Sequence, residues 1–456
     1  MKTTLQKIFK WFLSIFTVGL LITIIIVLVF PLHTSPPNLS NFPELSKNDR
    51  ILVVAPHEDD EILGTGGLLQ KASNLGLPIK VIFLTNGDAN EFAFINYRRR
   101  PWLTPTINRN MGQIRQTESS TILNQLGIPK NNIVFLGYPD RGTLAIWQNY
   151  WQTKKPFYNL VTNTTSVPYA NTVGYQKPYT AKSIYNDLKN QITDFKPTKI
   201  FVTGPADKHP DHQAAYLFTK LVILTNQQTL SQSQLFTYLV HYGFWPEPQG
   251  KHLSGWINLP KKLLTQKKYW LSLELNDQQV QNKFNYIAQY KTQTADNYFD
   301  LISYAKKNEL FCTDFAEELN QENSNNQSTK DIVFNQNSNG LKIIINQNTI
   351  INQITTYDFY LDGFSSISDF SIMPKFHLVL QNNHLSIYNQ KEKITSSDIK
   401  IENNNHQISI LLPWSLLGNP EKLFAQTTTS ISNISLAKSE WKVLDTQNQN
   451  KNTQSY

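Results

Sequence analysis

The chain has 456 residues, with 42 Lys and Arg against 34 Asp and Glu for a net charge of +8, and a single cysteine. Its 40% hydrophobic and 12% aromatic content excludes a disordered chain, and 17% charged residues are too few for a long coiled coil. The lone Cys312 excludes an intrachain disulfide framework and any cysteine-based zinc finger.

Residues Trp11 to Phe30 carry no charged side chain and are rich in Leu, Ile, Val and Phe. A helix of about 20 such residues spans a hydrocarbon core of about 30 Å. Lys2, Lys7 and Lys10 precede the run, and no Lys or Arg follows before Lys47. That asymmetry predicts a cytoplasmic amino terminus with the rest of the chain outside the cell membrane. The run exceeds a signal-peptide core and ends in Phe30-Pro31-Leu32-His33, which lacks a small-x-small cleavage site. Residues 1–31 therefore read as a tail and single-pass transmembrane signal anchor, with a cleaved signal peptide as the alternative. Residues 32–48 read as a Pro-containing linker.

From Arg50 onward, short apolar runs alternate with helical patterns. Strands are expected at Ile51–Ala55, Lys80–Thr85, Asn132–Leu136 and Lys199–Thr203, and helices at Glu61–Leu75, Met111–Leu126 and Ala181–Phe195. A long loop, Ala89–Asn108, carries Arg98, Arg99 and Arg100, either simply solvated or meeting a phosphate or an anionic lipid. A helical stretch from Asp277 to Asn308 closes the unit. Continuous apolar strands alternating with helices predict an α/β, Rossmann-like domain over residues 49–319, its mainly parallel sheet covered by helices on both faces. Residues 320–330 form a polar linker. Residues 331–446 show short strands separated by Asn-, Gln- and Ser-rich turns, which predicts a β-sandwich accessory domain. Residues 447–456 read as a disordered tail.

Two polar segments sit just past predicted buried strands. Pro56-His57-Glu58-Asp59-Asp60-Glu61 follows ILVVA, and His209-Pro210-Asp211-His212 lies shortly after KIFVT. In parallel α/β sheets, ligands bind outside the carboxyl ends of the strands, so both segments meet in one crevice. Three N/O ligands plus water compose an open, catalytic zinc site, although two His and one carboxylate also suit Fe²⁺ or another divalent metal.

These segments resemble the two signatures of LmbE-like, PIG-L-type N-deacetylases. The resemblance extends from about Ile51 to Phe315 through "LTNGD", "RQTESSTILNQLG", "FLGYPDRG" and "YKTQTADNYFDLISYAKKNELF". It implies zinc-dependent removal of acetyl groups from N-acetylglucosamine units, with His57, Asp60 and His212 as metal ligands. It further implies Asp59 as general base and His209 as the group that polarises the carbonyl or acts as general acid. Glu58 departs from the family, which usually has proline there; it adds a carboxylate near the metal. Asp211 is read as the partner that orients a ligand histidine. Glu61 reads as a helix-start carboxylate favoured by the macrodipole. Arg115 and Asp140 stand where relatives contact the sugar; for Arg115 an i,i+3 pair with Glu118 is the alternative.

Gly64-Thr65-Gly66-Gly67 has the wrong spacing for a dinucleotide fingerprint and predicts close helix–sheet packing. His241, Trp245 and nearby aromatics are read as core, with a stacking wall for sugar rings as the alternative. "ISILLPWSLLG" and "WKVLD" faintly resemble a family 9 carbohydrate-binding module. The expected partners are an N-acetylated sugar polymer or glycolipid and the membrane. No basic motif with interleaved aromatics points to nucleic acid. The alternatives are a non-catalytic glycan binder retaining the metal site, or an amidase on a small sugar conjugate.

Overall fold

The computed structural model describes residues 11, 14–19, 34–314, 317–318, 320–321, 332–346, 354–404, 407–432 and 434–446. Most of the expected anchor, Trp11–Phe30, lies outside the described residues, as does the tail 447–456. Residues 14–19 are helical and exposed. No helix among the described residues is long and apolar enough to cross a membrane.

The α/β domain is built on one sheet of eight strands: β1 Ser40–Asn41, β2 Ile51–Ala55, β3 Ile79–Thr85, β4 Ile133–Tyr138, β5 Lys199–Thr203, β6 Gln234–Tyr238, β7 Trp270–Glu274 and β8 Asn308–Thr313. Their spatial order is β1-β7-β8-β6-β5-β2-β3-β4. The pairs β2/β3, β3/β4, β2/β5 and β5/β6 are parallel, whereas β8 runs antiparallel to β6 and β7. The domain's α-helices of seven residues or more are α1 Asp60–Asn74, α2 Glu91–Arg98, α3 Pro105–Gln125, α4 Thr143–Asn149, α5 Ala181–Phe195, α6 Pro210–Thr225, α7 Asp277–Ile287 and α8 Lys291–Ile302.

Every residue of β2 and β3 is buried, because both sheet faces are covered. Ile51, Val53 and Ala55 join one core with Phe83, Phe201 and Tyr290, and Leu52 and Val54 join the other with Ile82, Val202 and Phe218. This alternation explains why the strands read as unbroken apolar runs. A Cβ on Gly64 would lie 2.1 Å from the Tyr238 ring, so α1 sits against the sheet at a distance only glycine permits.

The expected helical stretch 277–308 divides into α7 and α8 and then turns into β8. The expected loop 89–108 also differs: it contains α2 and the start of α3. Asn90 caps α2 by accepting from the Ala93 N–H, and Thr104 caps α3 with Pro105 in its first turn. Polar caps and a proline give a loop-like composition to what is in fact a helix boundary.

The carboxyl-terminal region forms two mainly antiparallel sheets. One is centred on Gly340–Asn346 and Gln407–Pro413, the other on Thr355–Phe364 and Lys422–Ile431. Leu341, Ile343, Phe359, Leu361, Leu378 and Ile410 fill the core between them. Within the stretch read as a linker, Asn320–Gln321 pairs with Asn335–Gln336. The outer face of the larger sheet is buried too: Phe364, Phe370, Phe424 and Trp441 pack into the α/β core beside Trp147, Trp151 and Phe218. The closing tryptophan of "WKVLD" is thus an interface side chain, 1% exposed.

Candidate metal centre

The chain runs outward from β2 through β3 to β4, then returns to β5 on the other side of β2. Between β2 and β5 the connections diverge, and a crevice opens at the carboxyl ends of these strands. The segment after β2 enters it from one side and the segment before α6 from the other. His57 Nδ1 lies 3.2 Å from Asp60 Oδ2, His212 Nε2 lies 3.2 Å from the same oxygen, and the two imidazole nitrogens are 3.3 Å apart. Tetrahedral ligands at about 2.0–2.1 Å from a zinc ion stand roughly 3.3–3.4 Å from one another. The triangle therefore fits such an ion with little adjustment. Asp60 Oδ1 is buried and has no hydrogen-bond partner among the described residues.

Each imidazole is held from behind by a carboxylate. His212 Nδ1 is 3.0 Å from Asp207 Oδ2, which also accepts from the Val240 and His241 N–H groups at 2.9 Å each. His57 Nε2 is 3.3 Å from Asp211 Oδ2 and 3.2 Å from Asp140 Oδ1. Asp211 is fixed in turn by the Arg141 N–H at 2.5 Å and by the N–H and hydroxyl of Thr143 at the start of α4. Backing carboxylates of this kind set the tautomer and basicity of metal-binding histidines.

The resulting field favours cations. Burial works against charge on His57, but Asp140, Asp211 and Asp60 outweigh it and raise its pKa well above the usual range. His212 is likewise buried, yet Asp207 and Asp60 push it up to about 9. Asp60 is held well below the carboxylate range by both histidines, against the effect of burial. Further donor groupings among the described residues overlap this one: His57, His209 and His212; His57, Asp140, His209 and Asp211; and Asp60, His212 and His241.

Asp59 stands beside the triangle with φ 123° and ψ −32°, a conformation L-residues rarely adopt. Its N–H donates to Glu61 Oε2 at 3.0 Å, and Glu61 Oε1 accepts from the Tyr290 hydroxyl. Glu61, read from the sequence as a macrodipole residue, is thus fully buried and clamps the strained turn. Burial, with Asp60 and Glu61 nearby, raises Asp59 to about 8 although Arg115 opposes the shift.

Arg115 is 3% exposed and makes no ion pair with Glu118, which instead accepts from the N–H and hydroxyl of Thr292. Its guanidinium donates to Gly87 O at 2.9 Å and Glu58 O at 2.5 Å, and lies 3.7 Å from Asp59 Oδ1. A Cβ on Gly87, whose φ is +56°, would fall 2.3 Å from this guanidinium. Glu58 faces the same arginine at 3.5 Å. Asp140 is 5% exposed and accepts from the Ala89 N–H at 2.9 Å.

His209 is the N-cap of α6, and its Nδ1 accepts from the Asp211 N–H at 3.3 Å. That bond leaves the proton of a neutral ring on Nε2. Burial and the neighbouring His57 and His212 push its pKa down to about 2. The His241 ring lies 4.8 Å from that of His212. Trp245 is core, with Nε1 donating to Asn258 O at 2.7 Å. Asp207 is not among the residues singled out from the sequence, its signal being an Asp two residues before His209; Tyr290 opens the family-like segment "YKTQTADNYFDLISYAKKNELF" without a role attached to it.

A buried His–carboxylate centre at a switch point of parallel strands defines the class of this domain: an α/β protein built around a metal-type site. Residues 52–223, from β2 to α6 of the α/β domain, match the family described as PIG-L, GlcNAc-PI de-N-acetylase, which is the LmbE-like family. No protein with a curated description matches the chain. Among solved structures it is similar to N,N'-diacetylchitobiose deacetylase from Pyrococcus horikoshii, with 16% identity over 54% of this chain and 70% of that one and a TM-score of 0.33. It is also similar to the A40926 pseudoaglycone deacetylase Dbv21, with 17% identity, 58% and 96% coverage and a TM-score of 0.37. A third similar structure is a 4-carboxy-2-hydroxymuconate hydratase from Pseudomonas putida KT2440, with 14% identity, 56% and 82% coverage and a TM-score of 0.35.

Proposed function

We propose that the chain is a metal-dependent N-deacetylase that removes acetyl groups from N-acetylglucosamine-type sugars of a surface glycan or glycolipid. The apolar run Trp11–Phe30 would anchor it, with the catalytic body on the outer side of the cell membrane. The observation that carries this reading is the convergence of His57, Asp60 and His212 at 3.2–3.3 Å with Asp59 alongside, in a PIG-L family domain.

His57, Asp60 and His212 would hold the divalent ion, with zinc the expected species. When bound, such an ion supplies Lewis acidity to a water and to the amide carbonyl. Asp59, next in the chain to Asp60 and within electrostatic reach of it and of His57, lies outside the ligand triangle and would serve as the general base. Arg115 and Glu61 hold it there, which makes them positioning residues. Neutral His209 offers its Nε2 proton as a hydrogen bond to the carbonyl oxygen as negative charge develops. Of the two roles expected for His209, its place at a helix N-terminus and its accepting Nδ1 favour this one. Asp59, once protonated, can return that proton to the departing amine. Asp140 and Asp211 steady His57, and Asp207 steadies His212.

The test is acetate release by the purified chain from N-acetylglucosamine oligomers and from extracted surface glycan. Chelation is expected to abolish release. Asp59→Asn is expected to lower it by about 10²–10⁴-fold while metal still binds. Undiminished release by Asp59→Asn would defeat the mechanism, and glycan binding with no release from any substrate would identify a binder instead.

A further inference from the structure

Several large aromatic side chains on elements that flank the centre point into solvent. Phe92, Trp102, Phe244 and Phe299 are between 73% and 82% exposed. They belong to separate elements that the structure ties together. Asn96 of α2 donates to Asp296 of α8 at 2.6 Å, and Asn90 donates to Gln293 at 2.7 Å, so Phe92 and Phe299 lie on neighbouring helices. Phe299 O accepts from the Gly250 N–H at 3.1 Å, and Gln249 links Phe244 O to Asp300. Arg98 donates to Trp102 O at 3.4 Å. The same elements flank the site: Ala89, just before α2, donates to Asp140, and His241, three residues before Phe244, lies against His212.

Chain path and the flanking arginines point to what would cover these side chains. Arg99 and Arg100 are exposed at the end of α2. Arg98 and Lys291 lie nearby, with Glu91, Glu247, Asp296 and Asp300 among them, so the surface carries both signs and the two arginines flank the aromatics directly. The body of the chain also starts here. The Thr34 hydroxyl accepts from the Trp256 N–H at 2.5 Å and donates to Trp256 O at 2.7 Å, on the 250–258 segment that carries Gly250. The uncharged run Trp11–Phe30 ends four residues earlier. Exposed aromatics on separate loops, flanked by arginines, are the side chains that settle at a lipid headgroup boundary.

We propose that the rim of Phe92, Trp102, Phe244 and Phe299, with Arg99 and Arg100 beside it, rests on the bilayer surface and holds the mouth of the metal centre towards it. The inference rests on the anchored reading above and sharpens it: the substrate is presented at the membrane, as a glycolipid or the membrane-proximal end of a glycan. Catalysis on soluble sugars does not require the rim.

The test uses the full chain in vesicles of phosphatidylcholine and phosphatidylglycerol. Single cysteines at Phe92, Phe244 and Phe299 are labelled with an environment-sensitive fluorophore, Cys312 being buried. A label at the exposed Ile367 on the β region is the control. Labels on the rim should shift to the blue and be quenched by lipid-borne nitroxide, and the Ile367 label should do neither. The combined variant Phe92→Ser/Phe244→Ser/Phe299→Ser should keep its acetate release from soluble oligomers and lose roughly tenfold on a vesicle-borne acetylated glycolipid. Chains that sediment with vesicles while every rim label reads water would overturn the proposal and leave the anchor standing. A blue shift already present without lipid would overturn it too, since the run 11–30 or a second copy would then cover the rim. Chains that fail to sediment would remove the anchored reading and the proposal with it, whereas loss of release from soluble oligomers by the wild type would strike the deacetylase reading alone.

Discussion

Replacing Asp207 by asparagine keeps the side-chain volume and removes the charge behind His212. Asp207 Oδ2 accepts from Val240 N, His241 N and His212 Nδ1 at 2.9, 2.9 and 3.0 Å, and Oδ1 accepts from the His209 N–H at 3.2 Å. An amide cannot serve all four donors. With its oxygen towards His212, its NH₂ group meets the His209 N–H; turned round, it faces Val240, His241 and His212. At least one donor goes unmatched, and an ionised acceptor becomes neutral in a site where Asp207 is 1% exposed. Hydrogen bonds to charged groups are worth about 1.5–3 kcal/mol, so the variant should lose about 2–4 kcal/mol of stability. Loss of the carboxylate that orients a metal-binding histidine typically costs 10–100-fold in affinity, about 1.4–2.7 kcal/mol. Chelator competition on the folded variant, below its melting temperature, measures the metal dissociation constant. A constant within twofold of wild type would refute the claim that Asp207 supports the centre through His212.

Tyr290→Phe removes the hydroxyl that Glu61 accepts. It should lower stability by about 1–2 kcal/mol and reduce kcat more than metal affinity, because the clamp acts on Asp59 rather than on a ligand. Gly87→Ala places a Cβ 2.3 Å from the Arg115 guanidinium at a φ of +56°, and should destabilise by about 2–4 kcal/mol in denaturant melts. Trp147→Phe leaves Asp362 Oδ2 without the indole donor that now sits 2.7 Å away. A buried acceptor left unpaired costs about 1–3 kcal/mol, read as a fall in melting temperature.

The strands and the centre were legible because their signals are local. Ile51–Ala55 is buried on both faces and needs five apolar residues in a row, and His57 and Asp60 follow it immediately. What escaped depends on partners far away in sequence. Arg115 and Glu118 have the spacing of a helix pair, yet Glu118 is taken by Thr292 and Arg115 turns to Glu58, Asp59 and Gly87. Glu61 has the position of a macrodipole carboxylate, and only the arrival of Tyr290 from α8's N-cap reveals the clamp. α2 went unread because its apolar face is short, with Ala93 and Phe94 its only buried residues.

From its sequence the β region is an accessory unit; its contacts give it a more direct bearing on the centre. Asp362 holds Trp147 in α4, and the first residue of that helix, Thr143, holds Asp211 behind His57. Gln426 donates to Gln213 Oε1 at 3.2 Å, and Gln213 donates to Asp207 O at 2.8 Å, behind His212. Both histidines are therefore backed by carboxylates whose own supports touch the larger β sheet. Phe364, Phe370, Phe424 and Trp441 join the α/β core, so separating the two regions would expose these rings and loosen both supports together. Burial of apolar area is the dominant favourable force in such a contact, and the polar links then set its register. A sheet that shares a core with the α/β domain and braces both His57 and His212 is structural scaffolding for the candidate centre, whatever else its outer edges bind.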